Sequence, residues 1–136
     1  MEVRKDGMLA KTLSTYDQFG YFYNEEVIPF GAGVMRGTDK EIQCKLMVTG
    51  GSFLGIAAYR GVNVTDAREC PIKSTVEVIT KGHVWVKAAS TVVAGDKAAC
   101  GENGKFAKTG TSNYDDIDGV FETSANSGEY AILWLK

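Results

Sequence analysis

The apolar positions of this chain fall in short runs separated by Gly, Asp and Asn. From Ile42 to Thr49 (IQCKLMVT) the pattern alternates. Ile42, Cys44, Leu46 and Val48 fall on one face, and Gln43, Lys45, Met47 and Thr49 on the other, which predicts a half-buried strand. Gly50-Gly51 turns the chain. Phe53–Tyr59 predicts a second strand, in which Gly55 marks a bulge or a close backbone approach. Thr75–Thr80 and His83–Ala88 read as two strands joined by a tight turn at Lys81-Gly82. In them Val76, Val78, Val84, Val86 and Ala88 face a core, and His83, Trp85 and Lys87 face out. Lys97–Cys100, Lys105–Lys108 and Val120–Ser124 follow as short strands between turns, with a polar loop at Thr109–Asp116. Tyr130–Leu135 (YAILWL) is apolar on both faces, as a central strand is. Val27–Phe30 contains Pro29, which lacks a ladder donor and so suits an edge or a strand end.

No helical period is sustained anywhere, and strands this short between turn residues are the rhythm of an all-β fold. The expected architecture is a single compact β-sandwich or barrel, of jelly-roll or Greek-key type, with an extended N-terminal arm. The boundary is placed between residues 26 and 27, with the arm at 1–26 and the β domain at 27–136. A chain of 136 residues is one domain and buries about two thirds of its unfolded surface, so it needs no disulfide or metal to hold a core. Sixteen glycines against two prolines fit a chain of many tight turns. The arm carries Phe19, Tyr21, Phe22 and Tyr23 around Gly20. Two readings stand for this cluster: an exposed arm presenting a sticky aromatic patch, or an edge strand packed on its own domain. Trp85, on the polar face of its strand, either lies under a loop or faces a partner, because aromatics are enriched at binding hot spots.

Charge and candidate chemistry narrow the function. The net charge of −2 argues against a nucleic-acid partner, which calls for a basic patch or stripe. No apolar run approaches the roughly 20 residues of a membrane span. The opening MEVRKDGMLAKT is charged and lacks an apolar core, so the expectation is synthesis in a cytosol. Cys44, Cys70 and Cys100 are odd in number and lack a C-x-x-C pair, which suggests neither a disulfide framework nor zinc. Cys44 and Cys100 read as small buried hydrophobes. Gly31-Ala-Gly33 is not a dinucleotide fingerprint, since Arg36 stands where a third glycine belongs. His83 is the one histidine, and there is no G-x-S-x-G elbow. Asp115, Asp116, Asp118 and Glu122 are the best metal candidates, but Ile117 falls where a calcium loop needs a ligand. They read as a solvated loop. No cofactor and no catalytic residue is expected.

Several motifs occur in a fixed order: Pro29-Phe-Gly-Ala-Gly-Val-Met-Arg-Gly37, Gly51-Ser-Phe-Leu-Gly-Ile-Ala57, Val76-Glu-Val78 with Gly82-His-Val-Trp-Val86, Val93-Ala-Gly-Asp96, Asp118-Gly-Val-Phe-Glu122, and Ser127 to Leu135. This order resembles the small structural cement, or capsid decoration, proteins of tailed bacteriophages, over roughly residues 27–135. The resemblance implies a protein that is not an enzyme and that self-associates as a homodimer or homotrimer. It implies binding to the outside of the capsid, where neighbouring major capsid protein subunits meet, and hence a place on the virion exterior. Family members use terminal arms to reach capsid subunits, which by analogy makes Phe19, Tyr21, Phe22 and Tyr23 candidate contact residues; Trp85 joins them as the aromatic on the polar face of its strand. A second reading is a carbohydrate-binding β-sandwich with Trp85, Tyr59 or Tyr114 as stacking platforms. A third is a small β-barrel enzyme in which His83 and acidic side chains converge.

Overall fold

One strand of 13 residues, Thr75–Lys87, belongs to both halves of the molecule. The computed structural model describes Gly7, residues 18–58, Glu69 and Cys70, and residues 75–136, with side chains from residue 20 onward except at 69 and 70. The strands in chain order are β1 (Gln18–Asn24), β2 (Ile28–Pro29), β3 (Gly33–Arg36), β4 (Gln43–Leu46), β5 (Phe53–Ala57), β6 (Glu69–Cys70), β7 (Thr75–Lys87), β8 (Lys97–Gly101), β9 (Phe106–Lys108), β10 (Tyr114–Phe121) and β11 (Tyr130–Leu135). A single 3-10 turn at Glu102–Gly104 is the one helical element among the described residues.

The order β1-β4-β3-β5-β7, with β7 paired back to β1, closes a five-stranded barrel. The other half of β7 starts a second sheet, β7-β11-β10-β8-β9, which curls until Phe106 of β9 meets Ala88 just past the end of β7. Strands β2 and β6 form a separate two-stranded ribbon. The sandwich-or-barrel expectation thus resolves to a closed barrel with a sheet packed on its flank.

Two cores follow from the alternation of side chains across the shared strands. Val34, Cys44, Ala57, Val76 and Val78 fill the barrel with Ile28 and Phe30. Ile56 and Ile79 leave the other face of the same wall and join Val84, Val86, Phe106, Phe121 and Leu133 in the second core. Strand β7 therefore changes faces. Val76 and Val78 look into the barrel, but Val84 and Val86, also even-numbered, look into the second core. The switch lies around Gly82, whose φ of 136° is open to glycine and strained for other residues. The tight turn expected at Lys81-Gly82 is instead a kink inside one continuous strand. Local chemistry cannot distinguish these outcomes, because Gly serves both; pairing with β1 on one side and β11 on the other keeps the strand extended.

Residues 18–23, expected in the arm, pair with β7 from Gln18↔Lys81 to Tyr23↔Thr75, so the sheet begins ahead of the boundary drawn at residue 26. Only Tyr23 and Asn24 register with β4, in parallel. Side chains reinforce that short seam: Glu25 accepts from the Thr38 N–H (2.7 Å) and hydroxyl (2.8 Å), and Glu26 accepts from the Leu46 N–H (2.7 Å). The core face expected for Ile42–Thr49 holds at Cys44 but not at its ends. Ile42 and Val48 are exposed, and Met47 is buried on the opposite side, because β4 lasts only four residues and the chain turns out of the sheet on either side.

Candidate interaction surface

Alternation along β1 sorts its aromatics. Tyr21 and Tyr23 stand on the outer wall of the barrel, 65% and 55% exposed. Phe22 between them turns inward against the barrel core, with the Arg36 guanidinium 5.5 Å from its ring centroid. The Arg36 group is held in turn by a 2.6 Å hydrogen bond to the Lys40 carbonyl. Phe19 pairs through its backbone with Ile79; its side chain lies outside the described residues. The expected four-ring patch is therefore, in the described residues, a pair of outward tyrosines fixed to a strand.

Trp85 sits elsewhere. It lies opposite Ile132 on the half of β7 that belongs to the second sheet. That is about 26 Å of strand away from Glu77, the register partner of Tyr21. Trp85 is half-buried, and its carbonyl accepts a 2.9 Å hydrogen bond from Gly7. Its neighbours on this outer face include Trp134, expected to be buried and in fact 37% exposed. The signal was present in YAILWL: Ala131, Leu133 and Leu135 make the buried set, which leaves Tyr130, Ile132 and Trp134 on the opposite face. The His83 ring stacks on Trp134 at 5.3 Å and 5°, and its Nε2 lies 3.6 Å from Glu122. Lys136 stands 4.8 Å from the Trp134 ring centroid, and Lys87 5.6 Å from that of Tyr130.

The other candidates take structural roles. Asp115, Asp116 and Asp118 lie on β10 rather than in a loop, because the stretch expected to be polar loop pairs with β8 from Tyr114 to Asp116. Asp115 accepts a 2.5 Å hydrogen bond from the Gly50 N–H, and Glu102 accepts from Thr49 at 3.1 Å, so two carboxylates latch the β4–β5 turn to the second sheet. No group of three or more metal-binding side chains occurs among the described residues. Cys44 and Cys100 are buried free thiols. Burial, and then the negative charge of Asp115, push the Cys100 thiol up to about 12, so it stays protonated. The ring of Tyr114 lies flat against Gly101, where a Cβ would meet it at 2.9 Å. Tyr59 lies outside the described residues, so the described side chains do not unite the three proposed sugar platforms.

Comparison with known proteins adds the family. The family described as "Structural cement protein (E217 gp24/Pam3 gp6)" matches residues 4–136. No curated protein sequence matches the chain. Among solved structures, one described as the capsid of Myoviridae phage XM1 is similar with a TM-score of 0.74 and 14% identity, covering 100% of this chain and 94% of that one. The head fiber gp8.5 N base of bacteriophage phi29 is similar with a TM-score of 0.54 and 13% identity, covering 88% of this chain and 94% of the other. At these identities the two structures speak for the fold alone.

Proposed function

We infer the function from the family: the chain belongs to the structural cement proteins, which match it from residue 4 to residue 136. Its role is to stabilise a phage capsid as a structural component of the virion. On that basis we place it on the outer surface of the shell, at contacts between neighbouring major capsid protein subunits, as a small homo-oligomer. A protein that binds only the assembled shell stabilises it by mass action. Repetition over symmetry-related sites multiplies a modest affinity per site through avidity. Binding is the whole of this function; it calls for no catalytic step, cofactor, nucleic acid or membrane.

The observation that carries the contact assignment is the outward pair Tyr21 and Tyr23. Tyrosine brings a large amphipathic area, and a side chain already held on a strand loses little freedom when it docks. The arm of this proposal shortens to the residues ahead of Gln18, with Trp85 as a separate contact on the second sheet.

The test is to mix the protein with undecorated, expanded shells of its phage and measure co-sedimentation and shell melting. Saturable binding with a raised shell melting temperature is the expected result. Tyr21→Ser/Tyr23→Ser should weaken binding by about tenfold or more, as loss of a hot-spot pair does, with the fold of the free protein retained. Undiminished binding by the double variant removes the tyrosines from the interface. Absence of wild-type binding overturns the placement on the shell.

A further inference from the structure

The barrel and the second sheet separate at a fork. Gly82 pairs with Leu135, and beyond this point β7 turns into the barrel while β11 ends. The space between the two bodies is a cleft of about 420 Å³, within the size range of built binding sites. Residues 51–54 wall it on the barrel side; Asp116, Ile117 and Asp118 of β10 wall it on the other, with Thr80 and Leu135 at the fork.

Both walls present strand backbone without a register partner on the cleft side, apart from the Asp118 carbonyl, which accepts from the Lys136 N–H at 3.0 Å. Strand β5 registers with β7 only at Ile56 and Ala57, so Phe53 and Leu54 have no β7 partner. On β10 the pairing with β8 breaks between Asp116 and Val120, and the pairing with β11 runs from Gly119 to Phe121. Ile117 therefore has a register partner on neither side. An open strand edge is a template for one more strand, with main-chain hydrogen bonds supplying affinity and side chains supplying selectivity.

The side chains define the segment that fits. Phe53 and Ile117 pack on the second core and offer apolar contact. Asp116 and Asp118 are exposed two positions apart on one face of β10, while Asp115 is occupied by Gly50. The one cation in the lining, Lys136, has its ammonium near the Trp134 ring. Two carboxylates at a strand's period of two match Lys or Arg at alternate positions of an extended chain.

We propose that this cleft takes one extended, basic segment of a neighbouring capsid subunit, added as a strand between β5 and β10. The proposal rests on the cement role inferred above. A second copy of this chain is a poorer occupant, because every described strand is already paired within its own chain.

The experiment is hydrogen–deuterium exchange on the full chain, free and bound to undecorated expanded shells, together with shell affinity of Asp116→Lys/Asp118→Lys. Binding is expected to slow exchange at Leu54 and Asp116, whose backbone groups face the cleft, and the charge reversal to weaken binding at least tenfold with an unchanged melting temperature of the free protein. If the wild type binds shells but these amides exchange as before, the cleft proposal is overturned and the cement role stands. If the wild type does not bind, both fall. Slowed exchange that follows the protein's own concentration without shells overturns the capsid segment in favour of a second copy.

Discussion

The barrel and the second sheet use the same short antiparallel strands but are held together differently. The barrel is closed by hydrogen-bonded neighbours all the way round, with a small interior of Val, Ile, Ala and Cys and one buried Phe. The second sheet returns to β7 through the single bridge at Ala88 and Phe106. It encloses the two largest fully buried side chains, Phe106 and Phe121. Closure holds the barrel and packing holds the sheet. Neither stands alone, because the outer wall of the barrel (Met35, Phe53, Ile56 and Ile79) is one side of the second core. The tyrosine pair therefore rides on the body with less apolar filling, while the second sheet buttresses it from behind.

The sharpest test of this contrast is truncation inside each core. Phe106→Ala removes a fully buried ring of the second core and is expected to cost about 3–5 kcal/mol. Ile28→Val in the barrel should cost about 0.5–1.5 kcal/mol. Urea unfolding measured by tryptophan fluorescence and far-UV circular dichroism checks both. Because the cores share a wall, each variant should still unfold in one transition; separate transitions for the two signals would mean that the bodies are independent.

The joint itself offers a second test. Gly104, at φ 70°, lies against the backbone of Gly33 so closely that a Cβ would overlap its carbonyl oxygen. Gly104→Val combines overpacking with an unfavourable φ and is expected to cost about 3 kcal/mol, read from the same urea curves. A loss below about 0.5 kcal/mol, the ordinary range of a surface change, would show that the turn moves aside and that the bodies are loosely joined.

The smallest effect concerns Cys100, at the back of the second sheet. Its thiol is raised from 9.0 to about 12 in the fold, by burial first and by Asp115 second. The unfolded chain therefore gives up this proton at lower pH than the folded one. The stabilisation is fully present below pH 9 and is lost as pH rises through the folded value. Wild-type stability should accordingly fall more steeply than that of Cys100→Ala between pH 9 and about 12. Parallel slopes in urea titrations over that window would contradict the burial argument.

What the chain states by itself is local. Period-two alternation marks Cys44 and the valines of β7, and these positions are buried as their patterns require; YAILWL, read as buried on both faces, buries Ala131, Leu133 and Leu135 only. Gly55, read as a bulge or a close approach, lies against β7, where a Cβ would meet the Ile79 carbonyl at 2.5 Å. The turn at Gly101–Gly104 and, among the described residues, the absence of long helices were equally legible, because hydrophobic period and turn chemistry act over a few residues. Partner choice acts over long separations and leaves no local mark. The union of Thr75–Thr80 and His83–Ala88 into one strand, the capture of Gln18–Asn24 as the barrel's closing strand, and the pairing of the acidic run with β8 were decided by which edges met. The same holds for the candidate site. The aromatics of β1 could be picked out by composition, but which of them face out depended on the register with β7. The cleft between β5 and β10 exists only because one strand serves two bodies that part at Gly82.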